Sequence, residues 1–216
     1  MGYPTNPSWD ISGLFYTNYG FNTAAGLIAY FESHDEERLM FKNEAYGNSS
    51  GSYNVKNIAT GLQRNEMGAV FMLASPGPKM IWQFGELGYD VNIDQNGRTG
   101  EKPIKWDYYT DVNRRHLYDL YARMIKWKIN NAVFNTTTFN YSLGGSVKMI
   151  SLTDASNKVE ITGNFDVNTQ SASINFAASG TWYDNITGAS INVPSVPYSM
   201  TLAPGEYHVY SITPLN

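Results

Sequence analysis

The sequence predicts an α/β portion followed by an all-β portion, and three observations carry that prediction. Compact apolar segments at 27–33 and 79–84 are each followed by a helical pattern, which makes two βα units with parallel strands. From Ala132 on, apolar and polar residues alternate with a period of two between regularly spaced turns, the pattern of an antiparallel β-sandwich. The change of character near residue 133 divides the chain into 1–132 and 133–216.

Taken in order, residues 1–26 mix aromatic and polar side chains with Gly and Pro and read as loop with a short helix. Leu27–Ser33 reads as an apolar strand. The run Gly47-Asn-Ser-Ser-Gly-Ser marks Lys42–Tyr53 as loop. A helix follows from about Asn57, with Ile58, Leu62, Met67, Val70 and Leu73 on its apolar side, and Ser75-Pro-Gly-Pro stops it. Lys79–Phe84 reads as a second buried strand and Gly85–Tyr109 as a long loop. A second helix covers about Asn113–Asn130, with Leu117, Leu120, Tyr121, Met124 and Ile125 on one side. In the all-β portion Val147, Met149 and Ser151 oppose Lys148, Ile150 and Leu152, and Tyr207, Val209 and Ser211 oppose His208, Tyr210 and Ile212. Turns fall at Gly144-Gly145, Asp154–Asn157, Gly180, Gly188 and Pro204-Gly205, leaving seven or eight short strands.

Composition narrows the function. Aromatic residues make up 14% of the chain and charged residues 16%, against about 25% charged in an ordinary soluble domain. There is enough apolar surface for a packed core, and disorder is not expected. The net charge is −4 with no basic block, so nucleic acid is a poor partner. Cysteine is absent, which excludes disulfides and thiolate metal sites. No apolar run approaches the roughly 18 residues of a membrane span, and Met1–Pro7 lacks the basic start and apolar stretch of a signal peptide.

The most informative stretch is Ala29–Leu39, Ala-Tyr-Phe-Glu-Ser-His-Asp-Glu-Glu-Arg-Leu, in which an apolar run delivers His34 and Asp35 into a charged loop. A second stretch, Ser75–Asp90, runs from Gly77-Pro78 into Phe84-Gly85-Glu86. A third, Arg98-Thr-Gly-Glu-Lys-Pro-Ile-Lys-Trp106, is an Arg…Pro-x-x-Trp loop, and Leu202–Ser211 reads as a closing hairpin. In this order the four resemble motifs of the α-amylase family, glycoside hydrolase family 13, with Ser33 and Phe84 in place of the family's usual Asn and Tyr. The overall likeness is to secreted amylase-like enzymes of the Bacteroidetes type. The resemblance implies that residues 1–132 are the last two βα units of a (β/α)8 TIM barrel and that 133–216 are the family's C-terminal β-domain. A whole barrel needs eight units in about 250 residues.

The resemblance also implies roles. In βα barrels the site lies at the C-terminal ends of the strands, where His34 and Asp35 stand. Asp35 corresponds to the carboxylate that stabilises the transition state and His34 to a ligand of sugar hydroxyls. Arg98 is placed to donate to sugar oxygens. Trp106 either stacks on a ring face or pins its loop to the barrel. Glu86 either holds structure or touches sugar. Retaining glycosidases need a nucleophile and an acid, and the family carries both upstream of the His-Asp motif. The 33 residues before His34 hold only Asp10 and Glu32, neither in a matching motif, and period two sets Glu32 on the side of His34, facing into the sheet or barrel. The chain alone is therefore expected to lack turnover, while the parent activity is hydrolysis or transfer on α-glucans.

The rival reading is a non-catalytic glucan-binding or scaffold module, with Trp9, Tyr16, Tyr19, Trp106, Trp182 or Tyr183 as stacking platforms. No cofactor is expected. The loop Asp90-x-Asn92-x-Asp94-x-Asn96-Gly97 resembles a calcium loop, but counted from Asn92, which sets Gly97 at position six, position twelve is Pro103 and not the closing Glu; it reads rather as a polar loop of Asx turns. Unpaired edges on the strands at 27–33 and 79–84 predict self-association, strand pairing across copies, or covering by the first 26 residues. The likeness and the Asn-, Thr- and Tyr-rich composition point to an extracellular, cell-surface or periplasmic location.

Overall fold

The computed structural model describes residues 9–216; the segment Met1–Pro7, read above as no signal peptide, lies outside them. The order of elements is α1 (Leu39–Tyr46), the short strands β1 (Ser49–Ser50) and β2 (Tyr53–Asn54), α2 (Ile58–Ala74), α3 (Val112–Asn130), and then eight strands. These are β3 (Phe139–Ser142), β4 (Val147–Thr153), β5 (Lys158–Asn164), β6 (Gln170–Ile174), β7 (Gly180–Asp184), β8 (Ser190–Val193), β9 (Tyr198–Leu202) and β10 (Tyr207–Ser211).

Helix α2 is the axle of the molecule. Asn57 caps it, its side chain accepting from the backbone N–H of Ala59 at 3.0 Å and of Thr60 at 3.4 Å. From Gly61 to Ala74 every side chain but that of Gln63 is buried, as expected of a helix apolar on all sides. Ile58, expected on the apolar side, is instead 49% exposed in the first turn. The helix stops at Ser75, whose hydroxyl donates to the Met72 carbonyl at 2.9 Å, ahead of Pro76. One face packs on α3 through Leu62 and Leu117. Another meets the large sheet, where Met67, Val70 and Phe71 join Ile150, Val159, Ile161, Phe165 and Val209 in the main core. Each such side chain contributes about 1.5–3 kcal/mol by leaving water.

The sheet is six-stranded and antiparallel in the order β3-β4-β5-β10-β7-β8, and β6 and β9 form a separate antiparallel pair. On its far side Phe176, Trp182, Val193 and Tyr210 make a second core with Ala172, Tyr198 and Met200 of that pair. Central β5 is thus covered on both faces and is buried from Val159 to Asn164. Alternation along β4 is as expected, with Lys148, Ile150 and Leu152 inward. Lys148 survives burial because its ammonium donates to the carbonyls of Trp9, Leu143 and Gly145 at 2.6–2.9 Å.

The expected strands at 27–33 and 79–84 shrink to one parallel bridge between Ala29 and Lys79. Ala29 N–H donates to the Pro78 carbonyl at 3.1 Å and Met80 N–H to the Ala29 carbonyl at 3.2 Å. The parallel sense is as expected; the length and burial are not. Pro76 and Pro78 bring no N–H to a ladder. Beyond Met80 the chain turns, with Gly85 N–H donating to the Trp82 carbonyl at 2.9 Å and Phe84 left-handed at φ 57°. Ile81 is accordingly 38% exposed. Helix α1 occupies part of the expected loop 42–53. It has no side-chain N-cap, and only Met40 and Asn43 are buried. The Asn43 amide fixes it to α2 by donating to the Gly61 carbonyl at 3.1 Å and Asn65 Oδ1 at 2.9 Å. Among the described residues, no helix is long and apolar enough to cross a membrane.

Candidate functional site

The loop from Glu32 to Arg38 is tied down at almost every residue. Ser33 Oγ accepts from Asp35 N–H at 3.1 Å and donates to the Glu36 carboxylate. Arg38, itself buried, donates to the Ser33 carbonyl at 2.8 Å, with its guanidinium 5.9 Å from the Trp82 ring centre and 5.5 Å from that of Tyr89. The Glu37 carboxylate accepts from Ile93 N–H at 3.0 Å. With its neighbours bonded inward, the bend presents His34 and Asp35 outward, their side chains 70% and 71% exposed and His34 Nε2 3.2 Å from Asp35 Oδ2. The pair sits in neither helix nor core.

Glu32 faces inward, as expected, 8% exposed, where its carboxylate accepts from Leu39 N–H at 2.6 Å. It does not share that side with His34, which the bend after Glu32 carries outward. The carboxylate passes under the Phe84-Gly85-Glu86 turn, close enough that a Cβ on Gly85 would lie 2.8 Å from Oε2. Burial, assisted by the charge of Glu86, pushes the Glu32 carboxyl up to about 7 against the pull of Leu39 N–H and Arg38. Glu86 is raised too, by burial, with its own backbone N–H opposing.

Across from His34 and Asp35 stands the loop 98–102. Arg98 donates to the backbone carbonyl of Asp35. Between the two walls runs an open groove of about 560 Å³ lined by His34, Asp35, Arg38, Trp82, Gln83 and the 98–102 segment. The His34 and Trp82 ring centres are 5.8 Å apart on its floor. Three residues singled out from sequence therefore meet in one groove. Trp106 does not join them. It is 67% exposed and packs edge-on against Phe84, 4.8 Å between ring centres, beside an adjoining apolar groove of about 640 Å³ that includes Glu86, Tyr118 and Tyr121. Trp82, Gln83 and Ile104 line both grooves.

The calcium-like loop holds another cation. Asp90 pairs with Arg114 at 2.6 Å and accepts from the Tyr108 hydroxyl. Asn92 Oδ1 accepts from Asp94 N–H at 2.6 Å, an Asx turn. The ammonium of Lys102 fills the centre of the loop's carbonyls. Among the described residues no group of three or more His, Asp or Glu could hold a metal ion.

Of the aromatic platforms considered, Trp9, Tyr19, Trp106 and Tyr183 are exposed by 40–67%, whereas Tyr16 and Trp182 are core residues at 5% and 0%. Period two sets Trp182 and Tyr183 on opposite faces of β7, so that Trp182 faces the core and Tyr183 the surface. Arg38 and Lys102 were missed. A charged residue among charged neighbours gives no sequence signal of burial or of binding its own loop.

No family model and no curated protein matches the sequence. Solved structures do match the fold. An Anoxybacillus α-amylase superposes with a TM-score of 0.67 over 98% of this chain and 44% of its own, at 14% identity. A gamma-CGTase from alkalophilic Bacillus clarkii gives 0.64 over 90% of this chain and 27% of its own, at 15% identity. AmyP, solved in complex with maltose, gives 0.60 over 74% of this chain and 37% of its own, at 14% identity. The chain spans less than half the length of each. Its fold is amylase-like.

Proposed function

We propose that this chain is the C-terminal part of an α-amylase-type glycoside hydrolase, with residues 1–132 contributing the last two βα units of a barrel and 133–216 its β-sandwich. The observation that carries the reading is the meeting of His34, Asp35 and Arg98 in one groove on an amylase-like fold. The ligand class is an α-glucan. Asp35 would stabilise positive charge at the sugar ring in an oxocarbenium-like transition state. His34 and Arg98 would hold hydroxyls, and Trp106, with its face in the adjoining groove, would stack on a further sugar ring.

A two-carboxylate displacement needs a second acid facing the same bond. Glu32, the acid nearest in sequence before the pair, is buried and committed to Leu39. Glu101, in the 98–102 wall, stands at no position to which the resemblance gives a role, and on this reading the chain by itself binds glucan without turning it over. This favours, as a second reading, a purely glucan-binding module. Ile28 and Tyr30 flank the lone parallel bridge and are 57% and 42% exposed. That open edge supports pairing with a further copy or chain. A location outside the cytoplasm goes with the parent activity on external starch.

Calorimetric titration with maltoheptaose, run beside a chromogenic maltooligosaccharide assay, tests the proposal. Binding without release of chromophore is expected, and loss of binding in Asp35→Ala together with Arg98→Ala. Absence of binding in the parent chain contradicts it.

A further inference from the structure

The Lys102 ammonium donates to three carbonyl oxygens of its own loop, those of Gln95 at 2.8 Å, Gly97 at 2.7 Å and Gly100 at 3.0 Å. An ammonium has three protons, and all three are used. Carbonyls converging on one cation are what a turn-rich loop offers to a hard metal ion; here the cation belongs to the chain. The backbone around it is tightly wound. Asn96 and Gly97 are left-handed, at φ 58° and 77°. Gly97 N–H donates to the Asp94 carbonyl at 2.9 Å, Gly100 N–H to the Gly97 carbonyl at 3.0 Å, and Asn96 Nδ2 to the Glu101 carbonyl at 3.3 Å. Arg98 stands between the two glycines, and its guanidinium meets the carbonyl of Asp35. Residues 98–102 are one wall of the groove.

We infer that Lys102 is a positioning residue for the groove: its ammonium winds the 95–102 loop and thereby holds Arg98 beside Asp35 at the spacing a glucan chain needs. This rests on the glucan reading of that groove. Without the ammonium, three carbonyl dipoles face one another uncompensated, and the loop opens. The loop needs no added metal.

Amide hydrogen exchange and maltoheptaose affinity, measured on the whole chain, test this. In Lys102→Met, exchange at Gly97 and Gly100 accelerates by about tenfold or more, the scale of losing charge-assisted hydrogen bonds. Amides of α2 keep their protection, which establishes that the variant is folded. Affinity falls by a similar factor, and Lys102→Arg, which restores a cationic donor, recovers part of both. A chelator leaves the parent chain unchanged. Unaltered exchange in Lys102→Met overturns the inference, as does faster loop exchange with undiminished glucan affinity. Faster exchange in a protein whose parent form binds no glucan upholds the winding of the loop by Lys102 and overturns the glucan reading instead.

Discussion

Glu32 and His34 stand two residues apart and meet opposite surroundings, and the difference has a measurable consequence. Glu32 is buried with its carboxyl pushed up to about 7 from 4.5. Glu160, buried in β5 and accepting from Ser151 Oγ, is pushed by burial up to about 8. A carboxyl whose folded value is raised contributes stability fully present below its unfolded value, and that contribution is lost as pH rises through the folded value. His208 acts in the same sense. Burial opposes its protonation, but hydrogen bonds to Asp184 and Glu206, each 2.9 Å away, outweigh burial and raise it. Melting temperature should therefore fall as pH rises from about 5 to 7, above which Lys79, pushed by burial down to about 7, acts in the opposite sense, and Glu32→Gln should flatten the profile by about 3 kcal/mol. A parent profile that rises across this window contradicts the account. At this scale the His-Asp pair was legible through its setting, an apolar run ahead of it and a second family-like motif at Ser75–Asp90. The inward side of Glu32 was legible too, but its parting from His34 was not, because the bend between them is set by local bonds of Ser33 and Arg38 and by the bond of Glu37 to the distant Ile93 N–H.

Among the elements, α2 and α3 were readable to within a residue because each carries a strong local start. Asn57 and Asp111 both accept from two N–H groups of the first turn. Asn57→Ala should cost about 1 kcal/mol, seen as a lower denaturant midpoint. The two parallel strands were over-read. Apolar runs carry β-propensity, but a parallel ladder also needs neighbours on both sides, and these segments bond only at Ala29 and Lys79. Helix α1 was missed for the converse reason, since the Asn43 amide, donating to acceptors on α2, rather than an apolar stripe secures it. The joint between helices and sheet is also polar at its centre. Arg64, fully buried, donates to the carbonyls of Phe165 at 2.5 Å and Asp166 at 3.1 Å. Arg64→Met leaves those carbonyls unpaired and should lower unfolding free energy by about 3 kcal/mol. A loss below about 0.5 kcal/mol, within the range of surface substitutions, would remove this joint from the account.

For the whole molecule, the passage from helices to a run of antiparallel strands was visible in the change of period near residue 133. The core that joins them was not, since it depends on Met67 and Phe71 meeting Ile161 and Phe165 across the sheet. What the fold leaves open is equally informative. The edge at Ile28 and Tyr30 is exposed, and Ile81, Ile104 and Trp106 are exposed beside the apolar groove. Sedimentation velocity should show concentration-dependent self-association, weakened by Ile28→Lys with Tyr30→Lys; a monomer at all concentrations counts against an adhesive edge.

The groove itself is tested most directly by mapping amide chemical shifts while titrating maltoheptaose into the intact chain. The account predicts saturable shifts centred on residues 34–35, 82–83 and 98–102, with smaller ones near Trp106. Shifts confined to the surface around Trp9 and Tyr19, or none at saturating sugar, would contradict it.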